Sequence, residues 1–364
     1  MFSQIQKLLS FSDVKIDMKN NAFDFVRLFA AIMVVFGHSA YLYGSKEIGW
    51  EAKYFDNMHS GTLAVWIFFA ISGFLVTLSW NRSNGIVDFI LKRAKRIYPG
   101  FWVNLFICAV FFAPVIYFLK NKTFVNFWEL NGLDIWKFLS NNLDGEIKSG
   151  SIGRDVGGIN GPLWTVHHEL RSYLALGVLG LAGLVNYSKK YVILFIAIFF
   201  QATRAVYSFV PDFTNFYNVW FGDERILMFL AMFFWGSAIA LYLKDRQPNL
   251  IIFGVSILLI ILGTKFDFLP IVFPFCFVYT TLFLCFVVPV KNISKKIGDL
   301  SYGIYLYHWP VRIALQFLGV QAMGLWWLFG LNLLCTIPFA LLSWNFVEKR
   351  FLARHKALEK PLNS

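Results

Sequence analysis

Residues 23–42 read FDFVRLFAAIMVVFGHSAYL, an apolar run with Arg27 and His38 set into it. An α-helix needs about 20 apolar residues to cross a bilayer core, and this run has that length. Arg27 and His38 stand eleven positions apart. At 100° per residue that is only about 20° beyond three full turns, so both project from nearly one face, separated by about 16 Å along the axis. They cannot grip one atom, but they can line one groove, with Arg27 at its mouth and His38 well inside. Ionisable residues within a membrane mark function by default; a snorkelling arginine and a histidine bonded within the bundle fit the same spacing.

The same ruler finds nine further candidate spans, at 62–80, 97–119, 162–183, 191–209, 223–243, 249–263, 268–290, 299–317 and 324–345. The expected fold is an all-α, polytopic transmembrane bundle of about ten spans over 23–345, with a segment 1–22 before it and a basic tail 346–364 after it. An even count puts both termini on one side. Of the 33 Lys and Arg residues, 20 fall in the tails and the loops on their side against 8 in the opposite loops, which predicts cytoplasmic termini. The 364 residues are 58% hydrophobic and only 15% charged. Soluble domains average about 25% charged, so an ordinary soluble enzyme, a disordered chain and a disulfide scaffold are excluded. The net charge of +12 is then mainly a topology signal and not a nucleic-acid footprint. Residues 120–160 form a long outer loop whose glycine-rich end, Gly150–Gly161, could cover a site.

Polar residues cluster at four further places. Arg93 and Arg96 share a helical face at i, i+3 beside Pro99, at the expected start of the third span. Paired guanidinium groups at a helix N-terminus suit phosphate, but a positive-inside cluster, found in any membrane protein, is the first reading from the residues alone. The fourth span opens GPLWTVHHELRSYL (161–174) and places Glu169 at a depth similar to His38, where a carboxylate would orient the imidazole. Trp164 and Tyr173 are candidate acceptor contacts or interface aromatics. His167 and His168 beside Glu169 raise a metal site, which is set aside because adjacent helical residues face apart. In SYGIYLYHWP (301–310), Ser301, Tyr305 and His308 form a polar stripe able to bind sugar hydroxyls or to bond neighbouring helices.

The ordered set Arg27-x10-His38, FFAISGFL at 68–75, Arg93-x-x-Arg96, GPLWTVHHELRSYL, SYGIYLYHWP and WNFVEKRF at 344–351 resembles the acyltransferase-3 family, integral-membrane O-acyltransferases of bacterial surface glycans. Many relatives carry two adjacent acids after the tryptophan of the fourth span; here only Glu169 stands there, after His167 and His168. The resemblance implies transfer of an acyl group, usually acetyl, from cytoplasmic acyl-CoA to a glycan hydroxyl at the bacterial inner membrane. It implies a stand-alone form without an SGNH domain, no permanently bound cofactor, and acetyl-CoA as co-substrate. Arg27, Arg93 and Arg96 are then expected to bind the donor and His38 and Glu169 to be catalytic. Trp164, Tyr173, Ser301, Tyr305 and His308 are expected to bind the acceptor or support the site. The expected partners are acyl-CoA, the glycan and the bilayer. A transporter or flippase of a lipid-linked glycan is the alternative; paired inverted repeats or matching broken helices, its usual signs, are not visible in the sequence.

Overall fold

In lipid a backbone has no water to bond, so every N–H and C=O must find its partner within the segment. The computed structural model describes residues 21–43, 59–127, 158–210, 224–243, 248–290, 293 and 297–352, and within these the chain answers that demand with helices and no strand. The expected segment 1–20, loop residues 128–157 and the tail after 352 lie outside the described residues.

The helices are α1 (Phe23–Tyr41), α2 (Ser60–Trp80), α3 (Ile86–Ile107), α4 (Trp164–Leu181) and α5 (Lys190–Phe209). They continue with α6 (Glu224–Leu243), α7 (Leu250–Lys265), α8 (Leu269–Val287), α9 (Ser301–Phe317) and α10 (Leu325–Ser343). Each of the ten expected segments coincides with one of them. Seven are long and apolar enough to cross a membrane. The other three are α7, with 16 residues, and α4 and α9, whose apolar character is diluted by site residues.

One boundary differs. The third helix begins at Ile86 and not near 97, and it continues through a π-turn at Cys108–Phe112 to Asn121. Gly85 makes the preceding turn at φ 100°. The first turns hold as helix because Phe89 is fully buried while Lys92 reaches back to Asp88 at 2.8 Å. Arg93, Arg96 and Pro99 therefore stand inside a helix, and a helix N-terminus plays no part in their chemistry.

Helix α6 is the centre of the bundle, with 78% of its apolar window buried, against 22% for α5 and α10 at the lipid-facing edge. It meets α2 backbone to backbone. A Cβ on Gly73 would lie 1.9 Å from the Phe233 carbonyl oxygen, and one on Gly236 would lie 2.3 Å from that of Ala70. Small residues permit this approach where no hydrophobic effect drives helices together.

At two of the prolines inside helices, side-chain amides close the opened ladder. Pro310 has no N–H to give the Leu306 carbonyl four residues earlier. That oxygen instead accepts from Asn104 Nδ2 and Asn160 Nδ2, both at 3.0 Å. Around Pro274, Gln201 of α5 inserts: its Nε2 donates to the Ile271 carbonyl at 2.5 Å, and its Oε1 accepts from the Phe275 N–H at 3.2 Å. The first repair fixes the turn of α9 that carries His308.

Candidate active site

His38 closes the last turns of α1, where the helix lies almost against the start of α2. A Cβ on Gly37 would be 2.6 Å from the Gly61 nitrogen, so no larger residue allows this approach. His59 caps α2 by accepting from the Gly61 N–H at 3.1 Å, and its ring centroid lies 5.9 Å from that of His38.

Across the bundle, His308 of α9 completes a directed chain. Its Nδ1 lies 2.8 Å from the Tyr305 carbonyl oxygen and 3.2 Å from that of Ile304. A carbonyl only accepts, so Nδ1 carries the hydrogen, and in the neutral ring Nε2 then holds a lone pair. His38 Nδ1 is 2.7 Å from that Nε2, with the two rings 5° from coplanar. His38 Nδ1 must therefore donate, which leaves His38 Nε2 as the basic nitrogen. It faces the first turn of α2, 3.9 Å from where a Gly61 Cβ would sit. Trp309 meets the His38 ring edge-on at 4.9 Å, and its own Nε1 is held by the Gly158 carbonyl at 3.0 Å.

His38, His59 and Gly61 open onto a cavity of about 200 Å³ that also takes in Trp164, Arg204 and Arg225. The Arg225 guanidinium lies 4.4 Å over the Trp164 ring. A second cavity, of about 190 Å³, lies toward the opposite face and is lined by Arg27, Lys92, Arg93 and Arg96 with Glu169 as its single acid. Arg96 pairs with Asp299 at 2.5 Å, and Arg27 approaches the same carboxylate at 3.6 Å while bonding Asp24 at 2.5 Å. Burial alone would raise the Asp299 carboxyl, but the guanidinium groups of Arg96 and Arg27 outweigh it and hold the group well below the usual carboxylate range. Arg93 donates to Ser79 at 3.1 Å. The Nε atoms of Arg27 and Arg93 are buried without a hydrogen-bond partner.

The two cavities divide the expected site residues. Glu169 does not meet His38: it accepts from Ser72 at 2.7 Å and from the Tyr173 hydroxyl, in the arginine-lined cavity. The depth estimate failed because Glu169, one turn further into its helix than Thr165, has passed beyond Tyr305 to the other side. Tyr173 and Ser301 likewise line the arginine cavity, and Ser301 donates to Asp299 at 2.7 Å. Trp164 stands in the His38 cavity, His308 bonds His38 behind it, and Tyr305 borders both cavities. His167 and His168 point to different neighbours, Phe101 and Trp164. Among the described residues no group of three or more His, Cys, Asp or Glu is placed to hold a metal.

Several contributors escaped sequence reasoning. Asp299 and Glu348 are the acids around Arg96, the latter 3.9 Å away. Their only signal was position, Asp299 two residues before SYGIYLYHWP and Glu348 within WNFVEKRF. Asn104, Asn160 and His59 gave none.

A family profile described as an acyltransferase domain matches residues 20–345. The chain is 32% identical over 360 residues to the "O-acetyl transferase" of Shigella phage Sf6, covering 92% of this chain and 97% of the relative. It is 28% identical over 351 residues to "Nodulation protein 10" of Rhizobium leguminosarum bv. viciae, covering 90% and 92%. The "Peptidoglycan O-acetyltransferase OatA" of Listeria monocytogenes is 26% identical over 332 residues, 79% of this chain and 51% of that protein. No solved structure matches at a significant level.

Proposed function

Because the chain belongs to the acyltransferase-3 family, we propose that this multi-pass membrane protein transfers an acyl group, acetyl in the simplest case, from acyl-CoA to a glycan hydroxyl at the bacterial cytoplasmic membrane. The observation that carries the reading is the chain from the Tyr305 carbonyl through His308 to His38, which leaves His38 Nε2 unprotonated at a cavity wall.

The chemistry follows from that nitrogen. The acceptor hydroxyl gives its proton to His38 Nε2 as its oxygen attacks the thioester carbonyl carbon. A C–O bond forms, the C–S bond breaks, and the CoA thiolate leaves and takes the proton back from His38. Products are the O-acyl glycan and CoA thiol, with the imidazole restored.

CoA carries phosphates, and four basic side chains against one acid line the other cavity. The uncommitted Nε donors of Arg27 and Arg93 fit an anion there, since buried donors without partners call for one. Arg96, held by Asp299, positions the wall between them. The basic face is then cytoplasmic, and Glu169 shapes the donor cavity with Ser72 and Tyr173 and does not touch the base. Trp164, with the Arg225 guanidinium over its ring, lines the His38 cavity where the acceptor would enter.

Deleting the gene and measuring surface glycans by mass spectrometry tests this. The reading expects loss of one acetyl mass per site, restored by the wild-type gene and not by His38→Ala inserted at equal level. Restoration by His38→Ala would overturn it.

A further inference from the structure

The two cavities share three lining residues, Val65, Thr165 and Tyr305. Two of these are tied together. The Tyr305 hydroxyl donates to the Pro162 carbonyl at 2.6 Å and is hydrogen-bonded by the Thr165 hydroxyl, which itself lies 3.3 Å from the same carbonyl. The phenol is thus pinned at its tip to the start of α4 and at its base to α9, with Val65 of α2 as the third side. Tyr305 is 7% exposed, so little of its surface is open to either cavity. The same residue's carbonyl sets the tautomer of His308.

We propose that the Tyr305 side chain is a gate between the donor and acceptor cavities, closed by its bonds to Pro162 and Thr165, and that the opening it leaves beside Val65 limits the size of acyl group reaching His38. This rests on the reading of the arginine cavity as the donor side and the His38 cavity as the acceptor side. A thioester moving from the arginines toward His38 meets this septum, whose three residues are the ones that line both spaces. Opening needs only the phenol to swing away from two hydrogen bonds, while the backbone that holds His308 stays in its helix.

The gate has a geometric and a chemical consequence, and one experiment reads both. In a chain with its four native cysteines replaced, Leu75→Cys reports the arginine cavity and Thr62→Cys the His38 cavity. A charged, membrane-impermeant thiol reagent applied from the basic face is expected to modify Leu75→Cys and to spare Thr62→Cys. Adding Tyr305→Phe, which keeps the ring and removes the tether, should speed modification of Thr62→Cys by about tenfold, the equivalent of one net hydrogen bond; Tyr305→Ala should abolish the barrier.

The same membranes given acetyl-, butyryl- and hexanoyl-CoA should transfer acetyl alone with the native residue, and the longer chains with Tyr305→Ala or Val65→Ala. Val65→Ala widens the passage without touching the tether, which covers a tyrosine variant that fails to insert. Equal labelling of Thr62→Cys with and without Tyr305, or an unchanged chain-length profile in a labelled, inserted Val65→Ala protein, overturns the gate. If labelling follows the gate but no variant uses any acyl-CoA, the septum stands and the donor reading fails.

Discussion

His308 is expected to act only through His38, and a double-mutant cycle exposes this. The bond between them is 2.7 Å long and His308 is fully buried. Replacing His308 by Ala leaves the His38 Nδ1–H without an acceptor in a dry site, a penalty of about 1–3 kcal/mol. His38 can escape it by moving its hydrogen to Nε2, which presents a donor to the acceptor hydroxyl and removes the base. General-base catalysis is worth about 10²–10⁴-fold, so His308→Ala is expected to lower kcat/KM by about 10²-fold or more, with KM for acyl-CoA nearly unchanged. In His308→Gln the amide oxygen can still accept from Nδ1, and activity should recover to within about tenfold of wild type. In a His38→Ala background, removing His308 should do nothing further, because the two work as a unit. The assay is the initial rate of acetyl transfer from labelled acetyl-CoA to envelope glycan in proteoliposomes with equal protein. Multiplying losses in the double variant, or a Gln variant as poor as Ala, would refute the directed chain.

The residues that support the site carry further expected outcomes. Asp299→Asn removes the acid that Arg27 and Arg96 share and should destabilise the protein by about 3 kcal/mol, the low end for breaking a buried pair because both arginines are about a fifth exposed. A carboxyl held below its ordinary value stabilises the fold at every pH above that value and loses the effect as pH falls through the folded one. The difference in thermal midpoint between wild type and Asp299→Asn is therefore expected to be flat above pH 5 and to shrink only below about 4. Asn160→Ala deprives the Leu306 carbonyl of one of its two donors, a loss of about 1–2 kcal/mol by chemical denaturation in detergent. Pro310→Ala restores the missing backbone N–H, so the same asparagine change should matter less in that background.

Much of this architecture is visible in the chain itself because apolar length is a strong and local signal. Each of the ten runs became a helix, and Arg27, Arg93 and Arg96 line one cavity as the resemblance implied, whereas the single groove that spacing predicts for Arg27 and His38 is divided between two cavities. The third helix was misplaced since Lys92–Arg96 looks like a loop by hydropathy, while its buried partners Phe89 and Ile97 alternate at helical spacing. The pairing of His38 was misassigned for a different reason. Depth along an isolated helix is readable to about one turn, and one turn separates Thr165, on the septum, from Glu169, beyond it. The actual partner, His308, is 270 residues away in sequence, and only packing brings it to α1. Asn104 and Asn160 were silent since an amide's value here comes from the carbonyl that Pro310 leaves open on another helix.

His38 Nε2 as the base of an acyl-CoA-dependent O-acyl transfer is open to direct measurement. Its most direct test is single-turnover transfer from labelled acetyl-CoA to envelope glycan by purified wild-type and His38→Ala protein in proteoliposomes. Label is expected on the glycan with wild type, at a rate about 10²–10⁴-fold lower with His38→Ala, with acetyl-CoA bound equally by both. Undiminished transfer by the alanine variant, at equal folded protein, would contradict it.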